Sequence, residues 1–163
     1  MLAPETKRYS RSDLLKIASK LELSMENFFE ALAKRFPVKR ELLMAFAGEE
    51  REHVNLVSAL LKDVHEDASE EEKVRVARVM DIFEQHGLLL AANEGVKKAK
   101  ELKTVGEAMS LAAELERILG IFYCQIVSSF DPEEKKILYD LIIQEHKHRL
   151  QVEEMSELTE AEA

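Results

Sequence analysis

Two Glu-x-x-His motifs stand in this sequence, Glu50 with His53 and Glu145 with His148. Residues three apart on an α-helix lie on one face, so each motif presents a carboxylate beside an imidazole. Oxygen and nitrogen groups arranged in this way can bind a divalent transition-metal ion. Because glutamate is very common in this chain, the spacing by itself decides nothing, and the prediction depends on the helices that carry the motifs.

Four long segments have the apolar periodicity of amphipathic helices. The first runs from about Asp13 to Arg35, with Ser12 as its predicted N-cap, and the second from about Val38 to Val64. The third runs from Thr104 to about Ser129, and the fourth begins at Asp131. Short joints separate the first segment from the second and the third from the fourth, so each pair is predicted to form an antiparallel hairpin.

Residues 64–103 connect the two hairpins. Ser69 and Glu72 have capping-box spacing, and a short helix is predicted over about Glu70 to His86, ending at Gly87. A weaker helix is predicted near Val96 to Leu102. The pattern predicts an all-α four-helix bundle, two hairpins joined by a long crossover. The chain, 1–163, is predicted to be one domain with a frayed acidic tail over 153–163.

The two hairpins place their acidic residues at matched depth. Glu22 and Glu50 are 28 residues apart around the first turn, and Glu116 and Glu145 are 29 apart around the second. At about 1.5 Å of rise per residue, the members of each pair face each other at ~18–20 Å from their turn. Each half of the chain therefore contributes one Glu and one Glu-x-x-His motif, as an internal repeat.

Four carboxylates at one depth of an apolar core cannot all stay ionised without protons or cations. Two divalent ions would cancel four carboxylates and leave one imidazole for each ion. This donor set favours iron or manganese over a thiolate-bound metal, and zinc can occupy such a site in a purified sample. The predicted metal ligands are Glu22, Glu50, His53, Glu116, Glu145 and His148.

The sequence resembles the rubrerythrin-like branch of the ferritin-like superfamily over its four long helices. The most specific parts are Glu22 followed by Phe28-Phe29, Glu116 followed by Phe122-Tyr123, and the two Glu-x-x-His motifs. The resemblance implies a ferritin-like bundle with two iron ions. It also implies that Glu50 and Glu145 bridge the ions, while Glu22 with His53 and Glu116 with His148 cap them.

Two departures from the rubrerythrin pattern narrow the expected site. Full-length rubrerythrins carry a four-cysteine rubredoxin module, whereas this sequence has one cysteine, Cys124. Rubrerythrins also place a further carboxylate three residues after the third-helix Glu, and here that position is Leu119. The six-ligand set is therefore closer to the generic ferritin-like site.

Several neighbouring residues have alternative interpretations. Glu26 lies one turn from Glu22 on the same stripe and is an alternative ligand. Glu49 and Glu52 point away from the stripe and are predicted to be solvated or to contact the ligands. Tyr123 either donates a hydrogen bond toward the carboxylates or is an ordinary core tyrosine. Cys124 is predicted to be a small core residue, and the remaining histidines to lie at the surface: His65, His86 and His146.

Composition excludes several partners. The net charge of −9 and the absence of a basic stripe predict that the protein does not bind nucleic acid. The longest near-apolar stretch, Leu119 to Val127, is too short to span a membrane. Met1 to Asp13 lacks the apolar core of a signal peptide, so we predict a cytoplasmic protein.

Three functions are consistent with these features. The first is an oxidoreductase whose two iron ions react with peroxide or oxygen and are reduced by a separate electron-donor protein. The second is an iron-handling protein that binds or oxidises iron for detoxification or delivery. The third is a metal-free helical interaction module. The expected assembly is a homodimer.

Overall fold

The structure, a computed structural model, describes residues 9–65, 69–85 and 94–161. Within these ranges it contains α-helices and short 3-10 turns but no β-strand. The predicted helix stop at Gly87, with His86, lies outside the described residues. The helices are α1 (Arg11–Arg35), α2 (Arg40–Asp63), α3 (Glu70–Gln85), α4 (Gly95–Ala99), α5 (Val105–Ile126) and α6 (Pro132–Ala161).

Side-chain caps explain where the helices begin. Ser10 Oγ accepts a hydrogen bond from the Asp13 N–H, and the Asp13 carboxylate accepts one from the Ser10 N–H. Ser10 is therefore the N-cap of α1, and the prediction of Ser12 was wrong by two residues. Both capping boxes predicted from the sequence are present, at Ser69 with Glu72 and at Thr104 with Glu107.

Short joints fold the four long helices into two hairpins. A 3-10 turn over Pro37–Lys39 separates α1 from α2, and another over Val127–Ser129 follows α5. Helix α1 packs against α2 and α5, and α6 packs against α5 and α2. This closes a four-helix bundle, and the all-α prediction is confirmed. Among the described residues, none of the helices has the length and apolar character needed to cross a membrane.

A buried arginine at the start of α1 ties the hairpins together. Arg11 donates from Nε to the Ser129 carbonyl at 2.6 Å and from an Nη atom to the His65 carbonyl at 2.9 Å. The same side chain lies 3.3 Å from the Asp131 carboxylate. These contacts fix the turn between α5 and α6 against the N-terminal end of α1, which keeps the two hairpins in register.

The short helix α4 of the crossover packs against α1. Gly95 lies where a Cβ would be 3.1 Å from Leu115 Cδ1 and 3.5 Å from Phe28 Cδ2. Glycine therefore lets the crossover approach α1 and α5 closely. The helix ends at Ala99, three residues before the predicted boundary at Leu102.

The fourth long helix continues beyond the point where the sequence predicted a frayed tail. Helix α6 ends at Ala161, and Val152 and Met155 still pack against the core. Ser156 shares a hydrogen bond with Ser110 of α5 at 3.1 Å. The contacts with α5 thus extend past Glu153, which explains why the acidic composition does not end the helix there.

Candidate metal centre

Six buried acidic and imidazole side chains meet at mid-height between the long helices. The most exposed is His148, at 5 %. Ligand atoms of Glu50, His53, Glu145 and His148 lie within 4.8 Å of one another. The cluster consists of Glu22 from α1, Glu50 and His53 from α2, Glu116 from α5, and Glu145 and His148 from α6.

The two histidines face the carboxylates through their Nδ1 atoms. His53 Nδ1 lies 2.7 Å from Glu145 Oε1 and 3.5 Å from Glu22 Oε2. His148 Nδ1 lies 2.9 Å from Glu50 Oε1. The imidazole rings stack with centroids 5.1 Å apart. Each histidine therefore contacts a carboxylate of the opposite hairpin, as a shared site requires.

The outer nitrogen of each histidine contacts a residue of the opposite hairpin. His53 Nε2 lies 2.9 Å from Gln144 Oε1, and His148 Nε2 contacts the Glu49 carboxylate. Partners of this kind orient a metal-binding imidazole. Sequence reasoning missed Gln144, although it holds the position in the second half that Glu49 holds in the first.

The structure shows the contacts of Tyr123 and Glu26, for which the sequence allowed two interpretations each. The Tyr123 hydroxyl donates to Glu22 Oε1, so this tyrosine holds a carboxylate of the cluster. Burial raises the pKa of Tyr123 well above its usual range, and the hydroxyl therefore remains a donor. Glu26 instead accepts a hydrogen bond from Arg51 Nε at 2.7 Å, which directs it away from the cluster.

Several oxygens of the cluster lack ordinary partners. Neither oxygen of Glu116 nor of Glu145 makes a hydrogen bond within the described residues, and the same holds for one oxygen each of Glu22 and Glu50. A buried polar group without a partner costs about 1–3 kcal/mol. Such a concentration of unpaired oxygens indicates that another group belongs between them.

Without a metal ion, protons must neutralise part of this charge. Burial raises the pKa of Glu22 and Glu116 well above the usual range of a carboxyl group, and neighbouring carboxylates raise both further. Glu50 behaves differently. Burial alone would raise its pKa, but the hydrogen bond with His148 and the contact with His53 outweigh it and lower the pKa to about 2.

The two histidines hold protons because the neighbouring carboxylates favour their charged form. Burial alone would lower the pKa of His53, but the carboxylates of Glu145, Glu22 and Glu50 raise it well above the usual range. His148 follows the same pattern, with Glu50 as its main partner. The metal-free centre is therefore a network of shared protons that cations can replace.

The donor set fits two divalent ions. Four carboxylates and two imidazoles provide four negative charges when the ions bind, and two divalent cations cancel them. Oxygen-rich donors with one imidazole per ion are typical of iron and manganese sites. The oxygens of Glu116 make no hydrogen bond within the described residues and could become ligands. Those of Glu145 could do so once a cation displaces the proton between Glu145 Oε1 and His53 Nδ1, which lie 2.7 Å apart.

Comparison with protein families gives a match that agrees with this geometry. The family model for rubrerythrin matches residues 13–156, nearly the whole chain. The chain belongs to the rubrerythrin family. It is accordingly a ferritin-like domain, and the buried carboxylate and histidine cluster indicates metal binding. Comparisons with curated proteins and with solved structures gave no significant match.

Two further residues distinguish this rubrerythrin-family chain. Leu119, at the position where the sequence lacks the family's further carboxylate, is buried in the core. Cys124 is exposed, and the prediction of a core cysteine was wrong. It lies on the side of α5 that faces a cleft rather than the bundle. Of the other histidines in the described ranges, His65 and His146 are exposed as predicted.

Proposed function

We propose that this rubrerythrin-family protein is a di-iron oxidoreductase that reacts with peroxide or oxygen. One observation carries the proposal. Four carboxylates and two imidazoles form a buried cluster in which six carboxylate oxygens make no hydrogen bond within the described residues. The proposed ligands are Glu22, Glu50, His53, Glu116, Glu145 and His148.

The contacts support a distinct role for each group. Glu50 lies between the two histidines, 2.9 Å from His148 Nδ1 and 3.4 Å from His53 Nδ1, and Glu145 Oε1 lies 2.7 Å from His53 Nδ1. These two carboxylates would be shared by both ions. Glu22, held by Tyr123, and Glu116 would cap one ion each. When bound, two ferrous ions supply the two electrons that breaking the O–O bond of a peroxide requires.

Residues around the cluster orient the proposed histidine ligands without any bound ion. Gln144 and Glu49 hold the outer nitrogens of His53 and His148, so that both Nδ1 atoms face inward. Burial of the cluster excludes bulk water, which strengthens every charge interaction within it. A separate electron-donor protein would return the oxidised ions to the ferrous state, and we propose a homodimer as the assembly.

Rapid oxidation of bound ferrous iron tests the proposed activity. We expect anaerobically loaded protein to oxidise its iron promptly on addition of hydrogen peroxide, monitored by absorbance. The Glu50→Ala, Glu145→Ala double variant should oxidise iron no faster than free ferrous iron in buffer. A Glu71→Ala, Glu133→Ala variant removes two exposed carboxylates and should behave as the wild type. Equal rates in all three proteins would contradict the proposal.

Metal affinity should rise with pH. Because the pKa values of Glu22, Glu116, His53 and His148 are all raised, the metal-free centre holds protons that an incoming cation must displace. We expect Co²⁺ to bind at least about tenfold more tightly at about pH 7.5 than at about pH 5.5, with release of protons. Calorimetric titration in buffers of different ionisation enthalpy measures both quantities. A pH-independent affinity would contradict the proton network.

A further inference from the structure

A cleft between α5 and α6 lies beside the candidate centre. Its volume is about 460 Å³. Glu116 and Glu145 form part of its lining, together with Gly120, Cys124, Ile142 and Arg149. Two of the proposed metal ligands therefore border this cleft, and their carboxylate oxygens are buried next to it.

The internal repeat shows why this side is open. Glu26 and Glu30 lie four and eight residues after Glu22, whereas Gly120 and Cys124 lie four and eight after Glu116. The residue after Glu50 is Arg51, and the residue after Glu145 is His146. At these three positions the first half of the repeat has two acids and an arginine. The second half has a glycine, a cysteine and a histidine.

In the first half these positions are filled by ion pairs. Arg51 donates from Nε to Glu26 at 2.7 Å and from an Nη atom to Glu30 at 2.9 Å. The Glu26 side chain is only 11 % exposed, so the pair covers the surface beside Glu22.

In the second half the same positions leave space. Gly120 has no side chain, and a Cβ there would have only Glu145 Cβ, 4.0 Å away, as a neighbour among the described residues. Cys124 is small and exposed, and His146 is exposed and contacts Arg149 at 3.2 Å. Packing does not require glycine at this position, and its effect is to open the cleft.

We propose that this cleft binds the reactant of the candidate centre, and that the reactant is an organic hydroperoxide with an apolar body. The inference rests on the proposed function and adds a substrate class to it. A water-sized molecule occupies about 30 Å³, so hydrogen peroxide needs little of this space. Sites for small organic molecules have volumes of about 300–1,000 Å³.

The lining agrees with an organic hydroperoxide. Ile121 and Ile142 provide apolar walls, and two proposed ligands of the centre, Glu116 and Glu145, border the same cleft. Arg149 also lines the cleft and adds a positive charge beside these apolar walls. Its Nε is buried and lies 3.6 Å from Glu153 Oε1.

The proposed iron site could supply the electrons that reduction of an organic hydroperoxide, ROOH, requires. Cleavage of the O–O bond of ROOH gives ROH and H₂O, and it consumes two electrons and two protons. Bound ferrous iron would supply the two electrons, one from each ion, and solvent would supply the two protons. The electron-donor protein of the proposed function would return these electrons.

Filling the cleft tests the proposal. In Gly120→Leu, loaded with ferrous iron and checked for iron content, the oxidation rate with cumene hydroperoxide should fall at least about tenfold more than the rate with hydrogen peroxide. Gly48→Leu is the matched control, because a Cβ at Gly48 would meet no atom of the described residues within 4 Å. A rate ratio unchanged by Gly120→Leu would overturn the proposal.

The single cysteine offers a readout that does not depend on iron chemistry. Cys124 lies in the cleft, so a bound molecule should shield its thiol. In zinc-loaded wild type we expect 2-phenyl-2-propanol, the alcohol product of cumene hydroperoxide, to slow alkylation by iodoacetamide several-fold. The same alcohol should have no such effect in Gly120→Leu. If the alcohol leaves the alkylation rate of the wild type unchanged, the proposal is also overturned.

The two experiments separate the failure of the cleft from the failure of the proposed function. If neither peroxide oxidises the iron of the wild type, the proposed function fails, and thiol shielding alone decides whether the cleft binds the alcohol. If hydrogen peroxide oxidises the iron but the rate ratio is the same in both proteins, the proposed function stands and the cleft proposal fails.

Discussion

Each divalent ion that binds should raise the free energy of unfolding by about 4 kcal/mol when free metal exceeds its dissociation constant about a thousandfold. The ions bind the folded cluster, where six carboxylate oxygens make no hydrogen bond within the described residues. The unfolded chain has no such site. For a chain of this size, each ion should raise the midpoint of thermal unfolding by about 8–16 °C.

Circular dichroism during heating measures this effect. Wild type is compared in chelator and in Zn²⁺, and with Fe²⁺ under anaerobic conditions. The Glu50→Ala, Glu145→Ala variant should lose nearly all of the gain, because it lacks both proposed bridging ligands. The Glu71→Ala, Glu133→Ala variant should keep it. If metal leaves the midpoint of the wild type unchanged, the six residues are not a metal site.

Replacement of one buried acid by an apolar residue should stabilise the metal-free protein. Glu116 is 1 % exposed, and neither of its oxygens makes a hydrogen bond within the described residues. Methionine has a similar length and no polar oxygen to bury. We expect Glu116→Met to raise the free energy of unfolding of the metal-free protein by about 1–3 kcal/mol.

Denaturant unfolding in chelator tests this second effect. Glu52→Met is the matched control, because Glu52 is an exposed glutamate in the middle of a helix, and it should change stability by less than about 0.5 kcal/mol. Glu116→Met should also lose most of the stabilisation by metal. A metal-free Glu116→Met protein less stable than the wild type would show that Glu116 contributes to packing rather than to a metal site.

These two effects have opposite signs and a common cause. The cluster destabilises the metal-free fold because it buries charge, and cations convert the same carboxylates into a stabilising centre. Acids buried at such a cost in stability indicate that the cluster has a function. Burial raises the pKa values of Glu22 and Glu116, which reflects the same cost of burying a charged carboxylate.

The long helices and the depth of the acids could be predicted from the sequence alone. Helical rise is constant, so the separation of Glu22 from Glu50 and of Glu116 from Glu145 sets their height in each hairpin without knowledge of packing. The helix starts at Ser69 and Thr104 were predictable because at each of them a serine or threonine and a glutamate form a capping box. Ser12 was chosen wrongly because Ser10 lies close by and Asp13 completes its capping box.

The choice between Glu22 and Glu26 needed the tertiary structure. Both lie on one stripe of α1, and periodicity cannot separate them. Arg51, on the neighbouring helix, pairs with Glu26 and leaves Glu22 to Tyr123 and the cluster. Arg51 is 25 residues away from Glu26 in the sequence. No pattern around Glu26 therefore indicates that the two residues pair.

Helix geometry depends only on position along the chain, so which residues share a face and a depth follows from the sequence. Which neighbour each side chain meets across the bundle follows from how the helices pack, and periodicity does not encode that packing. Gln144 contacts His53 from 91 residues away. Cys124 lines a cleft between α5 and α6, where Gly120 leaves space beside Glu145.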